Sequence, residues 1–297
     1  MIRRIVYFLG LNFVLLMTFS LVMSVMPVPP GYYTQMIILY ALFGYGGALI
    51  SLMLSRKMAK WGKKMQLIDP KNPGDTQSEW LMKTVHQYAR LSGITVMPEV
   101  GVYQAEELNA FATGPTKNRS LVAVSSGLLD NMTKDEVEGV LGHEIAHIKN
   151  GDMVTMVLLQ GTINTLVMFA ARILSDIVSS RLSSDGERGN FWVRMALFQV
   201  FAMILGVLGM VVQGTFSRHR EFRADEGGAR LAGPAKMVKS LQKLQSFYDP
   251  KQKKAMAKEP VAALQISGYF RQSSFAQLLS THPPLDKRIA ALKKRML

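Results

Sequence analysis

The chain has 297 residues, of which 48% are hydrophobic, and it contains no cysteine. That excludes a disulfide framework and a thiolate-held metal, so any zinc must be bound by histidine and carboxylate. The formal net charge of +14 fits nucleic acid, an acidic surface or the cytoplasmic side of a membrane; lying beside apolar runs, it favours the membrane and no nucleic-acid partner.

Taken in order, Ile5 to Met26 is an apolar run about as long as the ~20 residues that cross a bilayer core, preceded by Arg3 and Arg4. No small-residue cleavage pattern precedes Met26-Pro27-Val28-Pro29-Pro30, so the run reads as an anchor that stays on the chain. A second run, Tyr33 to Leu54, ends in the basic cluster Arg56, Lys57, Lys60, Lys63 and Lys64. Basic residues at both ends predict a membrane hairpin with both termini in the cytoplasm. The cluster's place beside a span suits acidic lipid better than nucleic acid.

A polar linker over 69–75 opens a soluble region. Thr76 and Glu79 have capping-box spacing, and Trp80, Val85, Tyr88 and Leu91 predict a helix that ends near Gly93. His86 on that helix reads as a surface or core histidine. Glu99 to Gln104 and Ser120 to Ser125 read as short strands, and an edge between them could accept an extended peptide.

Thr133 to Asp152 is the centre of the chain. Thr133 and Glu136 form a second capping-box pattern; Val137, Val140, Leu141, Ile145 and Ile148 mark one apolar face; Asn150-Gly151 supplies the stop. His143 and His147, four apart, project from one face at the separation two zinc ligands need. Glu144, between them in His-Glu-x-x-His, borders the metal as a general base. One zinc ion per chain is the expected cofactor.

Two further apolar runs follow, 153–178 and 191–214. They are joined by a loop without positive excess, which predicts a second hairpin with its turn outside; a buried soluble helical pair is the alternative, since Arg172, Asp176 and Arg194 lie within the runs. Such a hairpin would return Arg218 to Glu226 to the neighbourhood of His147. Glu221 has the reach to be the third ligand, and Asp225, one turn on, suits the outer N–H of a ligand histidine. Glu226 turns away, and His219 between two arginines is disfavoured as a ligand. A helix over 234–247, a basic stretch over 251–258 and a last amphipathic helix through Leu292 complete the chain. His282, ahead of Pro283 and Pro284, is placed either to donate to a developing oxyanion or to cap that last helix.

The chain thus reads as α+β, mostly helical, and multi-span. Its segments are an N-terminal hairpin (1–54), a first protease region (55–153), a second hairpin (154–214) and a second protease region (215–297). A zinc transporter and a non-proteolytic membrane chaperone are the competing readings. The first wants ionisable groups in mid-membrane, and the second leaves Glu144 without a role.

Together, His143-Glu144-Ile145-Ala146-His147-Ile148-Lys149-Asn150-Gly151-Asp152, Ser217-Arg218-His219-Arg220-Glu221-Phe222-Arg223-Ala224-Asp225, Thr281-His282-Pro283-Pro284 and Asn109-Ala110-Phe111-Ala112-Thr113-Gly114 resemble the HtpX family of membrane zinc metalloproteases. The resemblance covers essentially the whole chain. It implies a gluzincin-like scheme with ligands His143, His147 and Glu221, Glu144 as base, Asp225 supporting a ligand, and Asn109 in a substrate-aligning strand. It also implies a heat-shock protease of the bacterial inner membrane with a cytoplasmic active site, acting on misfolded membrane proteins. Oligomeric state is not legible from these motifs.

Overall fold

The computed structural model describes residues 32–63, 65–182, 191–248 and 282–296. The expected first span at 5–26, the basic stretch at 251–258 and Thr281 lie outside the described residues. The described elements are α1 (Tyr32–Gly62), β1 (Gln66–Leu67), α2 (Thr76–Leu91), β2 (Glu99–Tyr103), β3 (Ala110–Thr116), β4 (Arg119–Ser125), α3 (Ser126–Asn131), α4 (Lys134–Asn150), α5 (Asp152–Leu182), α6 (Phe191–Ala232), α7 (Pro234–Tyr248) and α8 (Leu285–Met296).

The chain divides into two units. One takes the chain up to Ala48 together with Leu158–Gln213; the other takes Leu49–Val157 and Gly214 onward. Among the described residues three helices are long and apolar enough to cross a membrane: Thr34–Gly62 in α1, Asp152–Leu182 (α5) and Phe191–Ala232 (α6). In the first unit, Ile38 and Leu42 of α1, Leu166 and Ile177 of α5, and Met203, Ile204 and Leu208 of α6 are exposed. So many bare aliphatic side chains on one unit suit lipid and not water.

Polar groups of this unit point at one another. Tyr45 Oη lies 2.5 Å from Thr162 Oγ1, and Ser175 Oγ donates to the Arg194 carbonyl at 2.7 Å. Arg172 donates from Nε to Asp176 at 3.1 Å, and its guanidinium also reaches Tyr32. Arg172 and Asp176 are thus paired within α5, and Asp176 also lies 3.9 Å from Arg194 of α6.

The second unit is built on a four-stranded sheet of order β1-β2-β4-β3. β2 runs parallel to β4, and β1 and β3 pair antiparallel on either side. Its core joins Leu81 and Val85 of α2, Val100 of β2, Val122 and Val124 of β4, and Leu141, Ile145 and Ile148 of α4. Each such side chain contributes roughly 1.5–3 kcal/mol through burial. The apolar face expected on α4 is thus the face that seats it against the sheet. β3 is left as an edge, with α4 packed beside it.

Local signals were read correctly at α4 and slightly misread at α2. Thr133 accepts from Glu136 N while the Glu136 carboxylate accepts from Thr133 N, a complete capping box. Gly151 stops α4 with φ 69°, a left-handed value that glycine adopts without strain. At α2 the cap is Asp75, whose carboxylate accepts from Ser78 N at 2.6 Å, and not the expected Thr76. Aspartate holds the orphan amide with a charged acceptor and so wins the position.

Past its apolar part, α6 continues without a break as a polar helix through Ala232. This extension packs closely on α4. A Cβ on Gly228 would stand 2.8 Å from His143 N, and one on Gly142 would stand 3.0 Å from the Gly228 carbonyl. Bare backbone at these two positions lets α6 approach α4 at the height of the histidines.

Candidate metal centre

His143, His147 and Glu221 come together in the second unit, with ligand-type atoms of all three within 4.8 Å of one another. His143 Nε2 and His147 Nε2 face each other at 3.0 Å. Glu221 Oε2 lies 3.5 Å from His143 Nε2, and Glu221 Oε1 lies 3.4 Å from His147 Nε2. A tetrahedral zinc with bonds near 2.0–2.2 Å would separate its ligand atoms by roughly 3.3 Å, so the spacing fits. Glu221 is fully buried, and its Oε1 meets His147 and Arg220 only at 3.4 and 3.6 Å, without a well-formed hydrogen bond among the described residues. A carboxylate in that situation wants a cation.

The outer nitrogens are occupied. His143 Nδ1 lies 2.9 Å from Asp225 Oδ1, and His147 Nδ1 is hydrogen-bonded to Asp152 Oδ2. A carboxylate at each Nδ1 fixes the proton there and turns the Nε2 lone pair inward, assigning the tautomers from the network. Asp225 is held in turn by Arg288 of α8, which donates from Nε at 2.7 Å and from Nη2 to the other oxygen. Arg288 is buried and places Nη1 3.4 Å from Glu221 Oε2. Arg220 lies 3.7 Å from Asp152 and 3.6 Å from Glu221.

Charge follows from these contacts. Burial pulls the His143 ring down, but hydrogen bonds to Asp225 and Glu221 outweigh it and raise its pKa to about 9. His147 is raised as well, burial and the His143 charge being overcome by Asp152 and Glu221. At Glu221 burial opposes ionisation, and the hydrogen bonds from His143, His147 and His282 hold its carboxyl well below the usual carboxylate range. Without metal the pocket carries protons where a metal would carry its charge.

Glu144 accepts the backbone N–H of Ala112, on edge strand β3, at 2.8 Å. The glutamate of the motif is therefore tied to the strand beside the site. Comparison with known proteins is decisive: residues 75–296 match the model of peptidase family M48.

The chain belongs to peptidase family M48. It is similar over 294 residues to Protease HtpX of Shewanella piezotolerans (45% identity, 98% of this chain, 99% of that one). It is also similar over 296 residues to Protease HtpX of Shewanella oneidensis (44% identity, 99% of this chain, 100% of that one). The crystal structure of S. mikatae Ste24p has the same fold, with a TM-score of 0.59 at 18% identity over 85% of this chain and 56% of that one. The chain is thus a membrane metallopeptidase of α+β, mostly helical fold, as its motifs had suggested.

The remaining expected residues fall as follows. His282 Nδ1 lies 2.8 Å from Glu221 Oε2, inside the cluster. Asn109 precedes β3, and its N–H and C=O both pair with Ser125 of β4, at 3.1 and 2.9 Å. His219 is exposed and bonded to its own helix at Thr215, and Glu226 pairs with Arg230; neither joins the cluster. His86 meets the Pro98 carbonyl at 3.1 Å, away from the site.

Asp152, Arg220 and Ala112 stood in the sequence only as members of the family motifs, without a role of their own, and Arg288 was not singled out at all. Asp152 had a usable signal, since a carboxylate one residue beyond a left-handed stop is turned back toward the last turn of the helix. Arg288 had none, because a lone arginine on an amphipathic helix reads as a solvated charge.

Proposed function

We propose that the chain is a zinc-dependent endopeptidase that cuts misfolded or damaged proteins of the bacterial inner membrane, in quality control under stress, from an active site at the cytoplasmic face. The convergence of two histidine Nε2 atoms and a buried glutamate oxygen carries the reading. The names of the Shewanella relatives, the apolar helices and the basic cluster at the end of α1 support the membrane setting and its orientation. The segments 1–54 and 154–214 serve as two hairpins, with the protease formed from 55–153 and 215–297.

His143, His147 and Glu221 would hold the metal. Zinc there supplies Lewis acidity toward the scissile carbonyl. Glu144 takes a proton from the attacking water and passes it to the leaving amine. A substrate strand lies along β3, whose Ala112 N–H faces outward, with Asn109 at the start of that edge. Asp225, fixed by Arg288, and Asp152 keep the two imidazoles aimed. His282, against Glu221, is positioned to donate to the oxyanion.

The test compares the full chain with Glu144→Gln on an unfolded membrane polypeptide, with and without chelator. Wild-type cleavage that chelation abolishes, with a variant that keeps one zinc per chain and loses at least ~10²-fold in rate, is the expected result. A variant that cuts normally would overturn it.

A further inference from the structure

Residues 1–68 contain no aspartate or glutamate, and the cations of that stretch concentrate between Arg56 and Lys64. The end of α1 divides them between two faces. Arg56, Lys60 and Lys63 lie toward the sheet. Lys60 Nζ stands 2.7 Å from Glu99, Arg56 Nε 3.8 Å from the same carboxylate, and Lys63 Nζ 3.8 Å from Glu107 and 4.5 Å from the Tyr103 ring centre. The other face is formed by Met53, Leu54, Lys57, Met58 and Trp61, all exposed, with Trp61 at 89%. At 100° per residue these five fall within an arc of about 140°. Among the described residues no carboxylate pairs with Lys57.

This stripe continues a membrane-spanning helix without interruption, since the candidate span itself runs from Thr34 to Gly62. Its composition is that of an interface: an indole and two thioethers beneath one long cation, with no acid nearby. A water-facing helix end would not leave Met58 and Trp61 bare. The neighbouring cations are already committed to Glu99 and Glu107, which fixes the orientation of the face.

We propose that Met53, Leu54, Lys57, Met58 and Trp61 form a docking face for acidic phospholipid headgroups, with Lys57 on the phosphate and Trp61 at headgroup depth. The ion pairs of Arg56 and Lys60 with Glu99 join this end of α1 to β2, part of the sheet against which α4 packs. Lipid is favoured over an acidic protein by the continuity with the span and by the single exposed cation set among apolar side chains.

The absence of native cysteine gives a clean probe. The full chain carrying Met58→Cys with a fluorophore is placed in nanodiscs of phosphatidylcholine alone or with one part in three phosphatidylglycerol, and quenching by neutral acrylamide is measured. Quenching should fall severalfold in the acidic discs, while a label at exposed Leu91 (Leu91→Cys) should show no change. Lys57→Gln should remove the dependence on lipid, as one lysine near an acidic leaflet is worth about fivefold in occupancy; Lys57→Arg should retain it. Equal quenching in both discs, or a fall that survives Lys57→Gln, overturns the assignment. So does protection accompanied by energy transfer between labels, the sign of a second copy, or protection that needs an acidic polypeptide. None of these readouts depends on proteolysis.

Discussion

Arg288 of α8 and Asp225 of α6 are joined by two hydrogen bonds in the interior, and Asp225 in turn lies 2.9 Å from His143. The guanidinium thus reaches the candidate metal centre through one carboxylate. Burial works against the arginine's charge, and Asp225 more than restores it.

Loss of Arg288 leaves Asp225 charged and buried without its partner, a defect worth about 3–5 kcal/mol. Arg288→Gln should lower the thermal midpoint of the full chain and weaken zinc affinity in a chelator competition. Arg288→Lys should not restore either, because an ammonium cannot make the two parallel bonds. Wild-type affinity in Arg288→Lys would show that charge alone suffices.

Asp152 acts on the other imidazole. Asp152→Asn keeps the shape and removes the charge that holds the His147 Nδ1 proton. Zinc affinity should fall by about 10–100-fold, and the thermal midpoint of the metal-free chain should fall too, since Asp152 helps hold the proton on His147. Equal affinity by chelator competition would make Asp152 a bystander.

Legibility in the sequence tracked locality. The α4 helix, its capping box, its glycine stop and the two histidines one turn apart depend on residues within a few positions of one another, and those were readable. Glu221 was reachable through a topological argument about returning helices. β3 was legible only as a possible peptide-accepting edge and, through the family resemblance, as the strand of Asn109, because Gly114 and Pro115 interrupt its alternation; its start at Ala110 and its pairing with β4 are tertiary matters. Arg288 escaped for a similar reason. A buried ion pair across 63 residues leaves no periodic trace, and its helix looks like any amphipathic surface helix. The Asp75 cap escaped because two adjacent candidates compete and only backbone geometry chooses between them.

The contact between Gly228 and His143 makes a packing prediction. Gly228→Ala adds a Cβ 2.8 Å from His143 N and 2.9 Å from Met237 Sδ. The thioether can move, but the helix backbone cannot. Overpacking of this kind costs about 1–3 kcal/mol. It should also push α6 away from α4 and widen the gap between Glu221 and the imidazoles. Zinc affinity should therefore drop together with the thermal midpoint, whereas Gly206→Ala, where a Cβ meets nothing within 4 Å, should leave both unchanged.

The protons on the histidines give a pH dependence whose sign separates the metal-free chain from the loaded one. In the metal-free chain His143 titrates at about 9, above the 6.5 of an unperturbed imidazole, and His147 is shifted in the same direction. A pKa raised on folding means that the folded state holds the proton more tightly. The stabilisation is complete below pH ~6.5 and is lost as the pH rises through about 9. The thermal midpoint of the metal-free chain should therefore fall across that window. Metal binding requires both Nε2 atoms free of protons, so zinc affinity should climb across the same window as bound protons cease to compete. Thermal unfolding of the chelated chain and chelator competition from pH 6.5 to 9 would give two curves of opposite slope. Parallel slopes would mean that Asp225 and Glu221 do not hold protons on these rings, and the electrostatic account of the centre would fail.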